Sequence, residues 1–149
     1  MVRMLYGGLL QDDAARGARI ADEIREDLLA DGLSVYETDD SSPVESVVVL
    51  HNGSREFSKP QGYAVFGSEL LEAFAGAAVA TPGESPFSYM IERHREIRGV
   101  TDVDGFSRAL AASAVWIGRA EMAKKVAEER RENRWSSAEE WRAAPSWSR

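Results

Sequence analysis

The feature that most limits the fold is the apolar run Val47–Leu50, which leads directly into His51, Asn52 and Gly53. An unbroken run of β-branched residues predicts a strand buried on both faces. Asn-Gly directly after such a run is a strong short-range hairpin signal, because both residues accept positive φ. The stretch therefore predicts a second strand over 44–50 that ends in an Asn-Gly hairpin.

His51 would be the last strand residue before that turn, and two roles are open for it. Histidine is the usual proton shuttle near neutral pH and a common metal ligand. However, no His, Glu or Asp stands two or four residues after it, and the only other histidine, His94, lies in a different predicted element. We therefore predict no catalytic residue and no metal ligand, and assign His51 a structural or interface position.

Length and composition place limits on the class of protein. A chain of 149 residues fits one domain that needs no disulfide or metal to stabilise it. The absence of cysteine excludes disulfides and thiolate metal sites, which fits a reducing compartment. The N-terminal apolar run is too short for a signal peptide, and no stretch is long enough to span a membrane. We expect a soluble intracellular protein with no cofactor and no membrane partner.

Helical periodicity is clear on both sides of the predicted strands. Ile20, Ile24 and Leu28 recur four residues apart within 14–31, and Gly32 follows where a left-handed residue ends a helix. The segment 33–40 alternates as a strand does, and 68–79, 85–98 and 101–134 show helical spacing. The predicted class is α+β. It has an N-terminal helix, a small, mostly antiparallel sheet, then C-terminal helices and an extended tail.

The C-terminal segment 135–149 contains Trp135, Trp141 and Trp147 among Ser, Ala and Glu, with Pro145 interrupting any helix. Such a tail either folds back over the domain or docks on a partner, where Trp is a favoured anchor. We predict a single domain over 1–134. The segment 135–149 is predicted to be an arm that docks on a neighbouring chain through its three tryptophans.

The segment 18–80 resembles the head-tail joining proteins (neck or tail-completion proteins) of long-tailed phages that infect actinobacteria. The resemblance lies in the order of an N-terminal helix, a small sheet, the run SVVVLHNG and the Leu- and Ala-rich stretch GSELLEAFAGAAVA. It implies a structural ring of identical subunits in the virion, assembled in the host cytoplasm. Its partners would be neighbouring connector and tail proteins.

The same resemblance gives a role to the acidic N-terminal third, where residues 1–50 carry 11 acids against 4 bases. DNA would pass through the ring without specific binding, since like charge keeps DNA from adhering. The acids expected to face the channel are Asp22, Glu23, Glu26, Asp27 and Asp31.

A second resemblance starts from VRMLYGGLLQDD, a candidate first strand followed by Gly7-Gly8, and from Asp39 and Asp40 after the next strand. This arrangement resembles nucleoside deoxyribosyltransferases, small nucleotide-processing α/β enzymes. The family implies that a carboxylate such as Glu69 or Glu72 is the nucleophile and that an Asp holds the sugar or base. The alternative for Asp39 and Asp40 is a solvated turn.

Overall fold

The structure, a computed structural model, describes residues 1–5, 16–39, 43–54 and 61–144. Its helices over these residues are α1 (Arg16–Ala30), α2 (Val44–Gly53), α3 (Ser68–Ala73), α4 (Ser88–Arg93), α5 (Val103–Ala112), α6 (Arg119–Glu132) and α7 (Ala138–Ala143). Its strands are β1 (Val2–Leu5), β2 (Leu33–Tyr36), β3 (Gln61–Val65), β4 (Ala77–Ala80), β5 (His94–Arg98) and β6 (Ala114–Ile117). They form one antiparallel sheet in the order β4-β5-β2-β1-β3-β6, so the predicted α+β class is confirmed.

The sheet lies between two helical layers because its central strands carry apolar side chains on both faces. On one face, Leu33 and Val35 of β2 belong to an apolar cluster with α1 and α5. On the other face, Val2 and Met4 of β1 belong to a cluster with α2, α6 and α7. The chain therefore has an apolar core on each side of the sheet.

The helix predicted over 14–31 is α1, and its apolar positions Ile20 and Ile24 are buried as their spacing indicates. Gly32 follows with φ of +103°, which confirms the predicted left-handed end of the helix. A Cβ at Gly32 would also lie 2.5 Å from Oε1 of Glu96. The strand β2 begins at the next residue, and β1 precedes α1, so the helix is not the first element of the chain.

The predicted strand over 44–50 and its Asn-Gly hairpin are wrong, because this stretch forms the helix α2. Every residue from Ser46 to Gly53 is buried, and a helix that is apolar on all sides is a buried one. Burial between the sheet and α6 outweighs the strand preference of the valines. Gly53 serves close packing, since a Cβ there would lie 2.5 Å from the ring of Trp141.

Three of the predicted C-terminal helices are shorter than expected, because each gives way to a strand. The helix over 68–79 ends at Ala73 and is followed by β4, and the one over 85–98 is α4 followed by β5. The one over 101–134 is divided into α5 and α6 by β6. These strands complete the sheet, where β5 pairs with both β2 and β4 and β6 pairs with β3. These segments are therefore strands because they pair with strands distant in sequence, which their local helical periodicity did not predict.

The chain after α6 is fixed by a buried carboxylate. Glu129 is fully buried, at 0% exposure, and accepts hydrogen bonds from the backbone N–H groups of Arg134 (3.1 Å) and Trp135 (2.9 Å). The hydroxyl of Ser136 donates to the same carboxylate at 2.6 Å and accepts from Nε1 of Trp141 at 2.9 Å. This network holds the start of the predicted arm against the domain.

Candidate functional site

The two central strands of the sheet separate soon after they meet. In the described residues, β1 and β2 share a single partner pair, Val2 with Tyr36, whereas β1 pairs with β3 along all four of its residues. The guanidinium of Arg3 donates through Nη1 to the carbonyl oxygen of Ser34 at 3.1 Å. The Arg3 side chain therefore occupies the place where backbone hydrogen bonds between β1 and β2 would otherwise continue.

A cavity of about 470 Å³ opens at this separation, and we call it the central cavity. Its wall comes from β1, α1, β2, α2, the loop after β4 and the first residue of β5. Its volume lies within the range of small-molecule sites, roughly 300–1,000 Å³. Its main polar and aromatic side chains are Arg3, Glu23, Asp27, Tyr36, His51 and His94.

Arg3 is a buried charge in the wall of the central cavity. It forms an ion pair with Asp27 through a short hydrogen bond, and its Nη2 lies 3.9 Å from Oε1 of Glu23. A buried arginine needs such partners, because removing an unpaired charge from water is very unfavourable. Its Nε is buried and has no hydrogen-bond partner within the described residues.

The environment of Glu23 in the cavity wall changes the acidity of its carboxyl group. Burial raises the pKa of Glu23 above the ordinary value, and the nearby charges of Asp27 and Glu26 add to the rise. The guanidinium of Arg3 lowers this pKa, but by less than burial raises it. The Oε2 atom is buried and has no hydrogen-bond partner in the described part of the chain. A proton is therefore held on this carboxyl group closer to neutral pH than on an ordinary glutamate.

Both histidines of the chain lie in the wall, on either side of Tyr36. The ring of Tyr36 meets His94 edge to face at 5.5 Å between centroids, and His51 at 6.1 Å. His94 is also tied to the loop after β4, since its Nδ1 lies 2.8 Å from Oγ1 of Thr81. Gly83 lets this loop approach closely, because a Cβ there would lie 2.9 Å from Cβ of His94.

His51 was assigned a structural or interface position. Its side chain is 2% exposed, because α2 is buried between the sheet and α6. This burial fits the structural alternative. The sequence placed His51 and His94 in unrelated elements, and only the packing of α2 and β5 against β2 brings them to one cavity.

Arg3 was missed by the sequence interpretation, although the sequence contained a signal for it. A lone arginine stands between apolar residues in VRML, where Val2 and Met4 are buried. A charged residue inside an apolar strand needs a charged partner elsewhere in the fold. Here the partners are two of the acids of α1.

The five acids predicted to face a channel do not form one surface. Glu23 and Asp27 turn towards Arg3 and the central cavity. Asp22, Glu26 and Asp31 are exposed. A channel-facing role stays a prediction for all five, and Glu23 and Asp27 are the two that are paired with Arg3.

The predicted docking tryptophans also separate into different environments. Trp141 is 3% exposed and packs on Phe87, with 4.8 Å between ring centroids, so its assignment as a docking residue is wrong. Trp135 is partly buried against the same apolar cluster. Trp147 lies outside the described residues. For Trp135 and Trp141, the back-folded alternative describes the structure.

The carboxylates implied by the enzyme resemblance lie away from the central cavity. Glu69 and Glu72 are exposed on α3, and neither contributes to the cavity wall. Asp39 borders a separate shallow depression beside Glu37 and Arg95. Asp40 lies outside the described residues.

Comparison of the chain with protein-family models, curated proteins and solved structures finds no match in any of the three. Within the described ranges, no three His, Asp or Glu residues are grouped in a way that could hold a metal ion. No helix there combines the length and apolar character needed to cross a bilayer.

Proposed function

We propose that this chain binds a small polar molecule in the central cavity and transfers a proton to or from it, with Glu23 as the general acid or base. The observation that carries the proposal is the position of Glu23. Its side chain is 27% exposed, and the residue lies in the wall of a cavity large enough for a metabolite.

The chemistry of the wall supports proton transfer. General acid–base catalysis is most effective when the pKa of the group lies near the working pH, and the raised pKa of Glu23 moves it in that direction. His51 and His94 add two imidazoles, the side chains most often used for this work. Arg3 holds Glu23 and Asp27 in place through its ion pairs, so it acts as a positioning residue.

The test is a melting-temperature screen of the wild-type chain against metabolite-sized polar compounds, followed by variants. Glu23→Gln removes the titrating group and keeps its shape. Glu96→Gln is the matched control, because Glu96 is also partly buried and paired with an arginine, Arg98, but does not line the central cavity. We expect compounds that raise the melting temperature of the wild type and of Glu96→Gln, with a much smaller effect on Glu23→Gln. A screen with no stabilising compound, or equal stabilisation of both variants, would contradict the proposal.

A structural role in a phage head-tail connector is the second candidate, and the edges of the sheet favour it. In the described residues, β4 and β6 each pair on one side only. All four residues of β4 are exposed and uncharged, and such edges are templates for pairing with another chain. Contact between two different edges is head-to-tail, and it closes into a ring when the rotation allows.

The connector proposal predicts rings in solution. We expect native mass spectrometry to give one closed multiple of the subunit mass, and Val79→Lys at the β4 edge to return the chain to monomers. Arg98→Lys on the neighbouring strand β5, whose side chain is exposed, is the control that leaves assembly unchanged. A wild-type monomer at tens of micromolar would remove this candidate and leave the cavity proposal unaffected.

A further inference from the structure

The edge strand β4 presents a row of backbone groups on the side that has no partner strand in the described part of the chain. The N–H of Thr81 donates to the carbonyl oxygen of His94, so these two residues form a hydrogen-bonded pair that continues the ladder between β4 and β5. Such pairs alternate with non-hydrogen-bonded pairs along an antiparallel ladder. Val79 therefore turns its backbone groups towards β5, whereas its neighbours Ala78 and Ala80 turn theirs outwards.

The ladder on the other side of β5 gives the same alternation. The N–H of Glu37 donates to the carbonyl oxygen of Arg93 and continues the ladder between β2 and β5. Two residues further along β5, the backbone groups of Arg95 therefore face β2. Ala80 is the partner of Arg95 in β4, so it lies in a non-hydrogen-bonded pair and its own N–H and C=O point away from β5.

The residues at the two ends of β4 limit the outward row. At one end, Gly76 donates its N–H to the carbonyl oxygen of Leu71. At the other end, Pro82 has no N–H. Between them, Ala78 and Ala80 present two donors and two acceptors. In a second copy laid antiparallel, Ala78 of each chain faces Ala80 of the other, and all of these groups are then used in hydrogen bonds between the copies.

The side chains of β4 allow a second copy to approach. All four residues, Ala77–Ala80, are exposed and uncharged, whereas edge strands that resist pairing carry Lys, Pro or inward-pointing charges. The charged neighbours in β5 are paired within their own chain, Arg98 with Glu96 and Arg95 with Glu37. The donors and acceptors of the edge therefore decide its electrostatic match, and in this register each donor meets an acceptor.

From this alternation and this match, we infer that β4 is a dimerisation edge, which pairs with β4 of a second copy about a two-fold axis through Val79. The two six-stranded sheets become one continuous sheet. A second copy brings a strand that is already formed, so little ordering is needed. A foreign peptide would need side-chain pockets for specificity, and β4 offers it three alanines and one valine.

The size of the contact sets its strength. Two paired strands of four residues bury less than the roughly 1,200–2,000 Å² of a stable interface, so the dimer exchanges with monomer. The inference goes beyond the cavity proposal and does not depend on it. It competes with the connector candidate, because β4 cannot pair with β4 and with β6 of other copies at the same time.

The first test uses introduced thiols, because the chain has no cysteine. In Val79→Cys the two thiols face each other in a non-hydrogen-bonded pair, where Cα atoms are about 4.5 Å apart and a disulfide can form. Ala77→Cys is the matched control in the same exposed strand. Ala77 of one copy faces Thr81 of the other, so the two Ala77 positions are roughly 13 Å apart along the strands.

We expect Val79→Cys to form a disulfide-linked dimer with oxidised glutathione at least about tenfold faster than Ala77→Cys, as measured on non-reducing gels. Equal rates would overturn the inference. Val115→Cys on β6, also exposed, tests the competing contact in a mixture with Val79→Cys. A disulfide between these two variants that forms faster than the Val79→Cys dimer would overturn the inference in favour of head-to-tail assembly.

The second test measures the reversible dimer by sedimentation equilibrium. Ala80→Pro removes an outward N–H from each copy and no hydrogen bond to β5, so we expect the dissociation constant to rise at least about tenfold. Ala80→Val keeps the N–H, and we expect it to change the dissociation constant less than about threefold. A wild-type chain that stays monomeric up to millimolar concentration, or equal dissociation constants for the two variants, would overturn the inference and leave the cavity proposal unaffected.

Discussion

Glu129 and Glu23 are two glutamates with buried carboxylate oxygens, and their surroundings differ. Glu129 is fully buried, and three donors from the residues that follow α6 satisfy its oxygens. The side chain of Glu23 is 27% exposed, yet its Oε2 is buried without a partner in the described residues. The fold therefore satisfies a carboxylate where the role is to hold the chain, and leaves one unsatisfied beside a cavity.

A buried polar group without a hydrogen-bond partner lowers stability by about 1–3 kcal/mol, so the presence of such a group in a native structure calls for an explanation. Around Glu129, removal of the carboxylate leaves donors unsatisfied. Around Glu23, one carboxylate oxygen stays without a partner in the described residues, beside the central cavity.

Trp141→Ala tests whether the region held by Glu129 is part of the core. We expect a loss of about 3–5 kcal/mol in the free energy of unfolding, because the indole packs on Phe87 and fills space beside Gly53. Chemical denaturation measures it, and Trp135→Ala, at a partly buried position, should lose less. An unchanged unfolding free energy combined with a changed oligomeric state would restore the docking-arm interpretation.

Glu129→Ala tests the satisfied carboxylate directly. We expect a loss of about 2–4 kcal/mol, because two backbone N–H groups and the hydroxyl of Ser136 lose their acceptor. Glu121→Ala, at an exposed position in the first turn of the same helix, is the control and should change stability by less than about 1 kcal/mol. Equal losses in the two variants would show that the network contributes nothing.

Glu23→Gln tests the unsatisfied carboxylate through pH. Because burial raises the pKa of Glu23 in the folded chain, the folded state binds this proton more tightly than the unfolded state does. Wild-type stability from this group is therefore present below the ordinary pKa of 4.5 and falls as pH rises through the folded pKa. We expect the melting temperature of Glu23→Gln, relative to wild type, to increase from acidic to neutral pH. A difference that is constant, or that grows towards acid, would break the contrast with Glu129.

Lys125→Ala is expected to cause the smallest loss of stability among these variants. Lys125 bonds Glu45 at 3.0 Å between α6 and α2, and this contact raises the pKa of Lys125. Both side chains are partly exposed, at 32% and 48%, so we expect a loss below about 1 kcal/mol in the unfolding free energy. Lys124→Ala, at an exposed neighbouring position, is the control. A loss as large as that of Glu129→Ala would mean that surface pairs rival the buried network.

The elements that could be predicted from the sequence are those decided by local chemistry. The spacing of Ile20 and Ile24 and the glycine at position 32 set α1 and its end, whatever packs around them. The stretch 44–53 was misassigned because its valines favour a strand in isolation, and only its burial on all sides makes it a helix. The same limit applied to β5 and β6, whose partners lie far away in sequence.

The candidate site was beyond local sequence reasoning for the same reason. Its wall joins Arg3, Glu23, His51 and His94, which come from four elements spread over most of the chain. No spacing rule connects them. The acids of α1 were noticed for their charge, but the guanidinium that turns two of them inward lies on a strand that precedes the helix.

The most direct test of the central claim is the titration of the Glu23 carboxyl carbon by ¹³C NMR, with its signal assigned by its loss in Glu23→Gln. We expect a pKa above 4.5 in the free protein, because burial outweighs the attraction of Arg3. We also expect this signal to move when a compound that raises the melting temperature is added. A pKa at or below 4.5, with a signal that no such compound moves, would contradict the claim that the central cavity is the functional site of this chain.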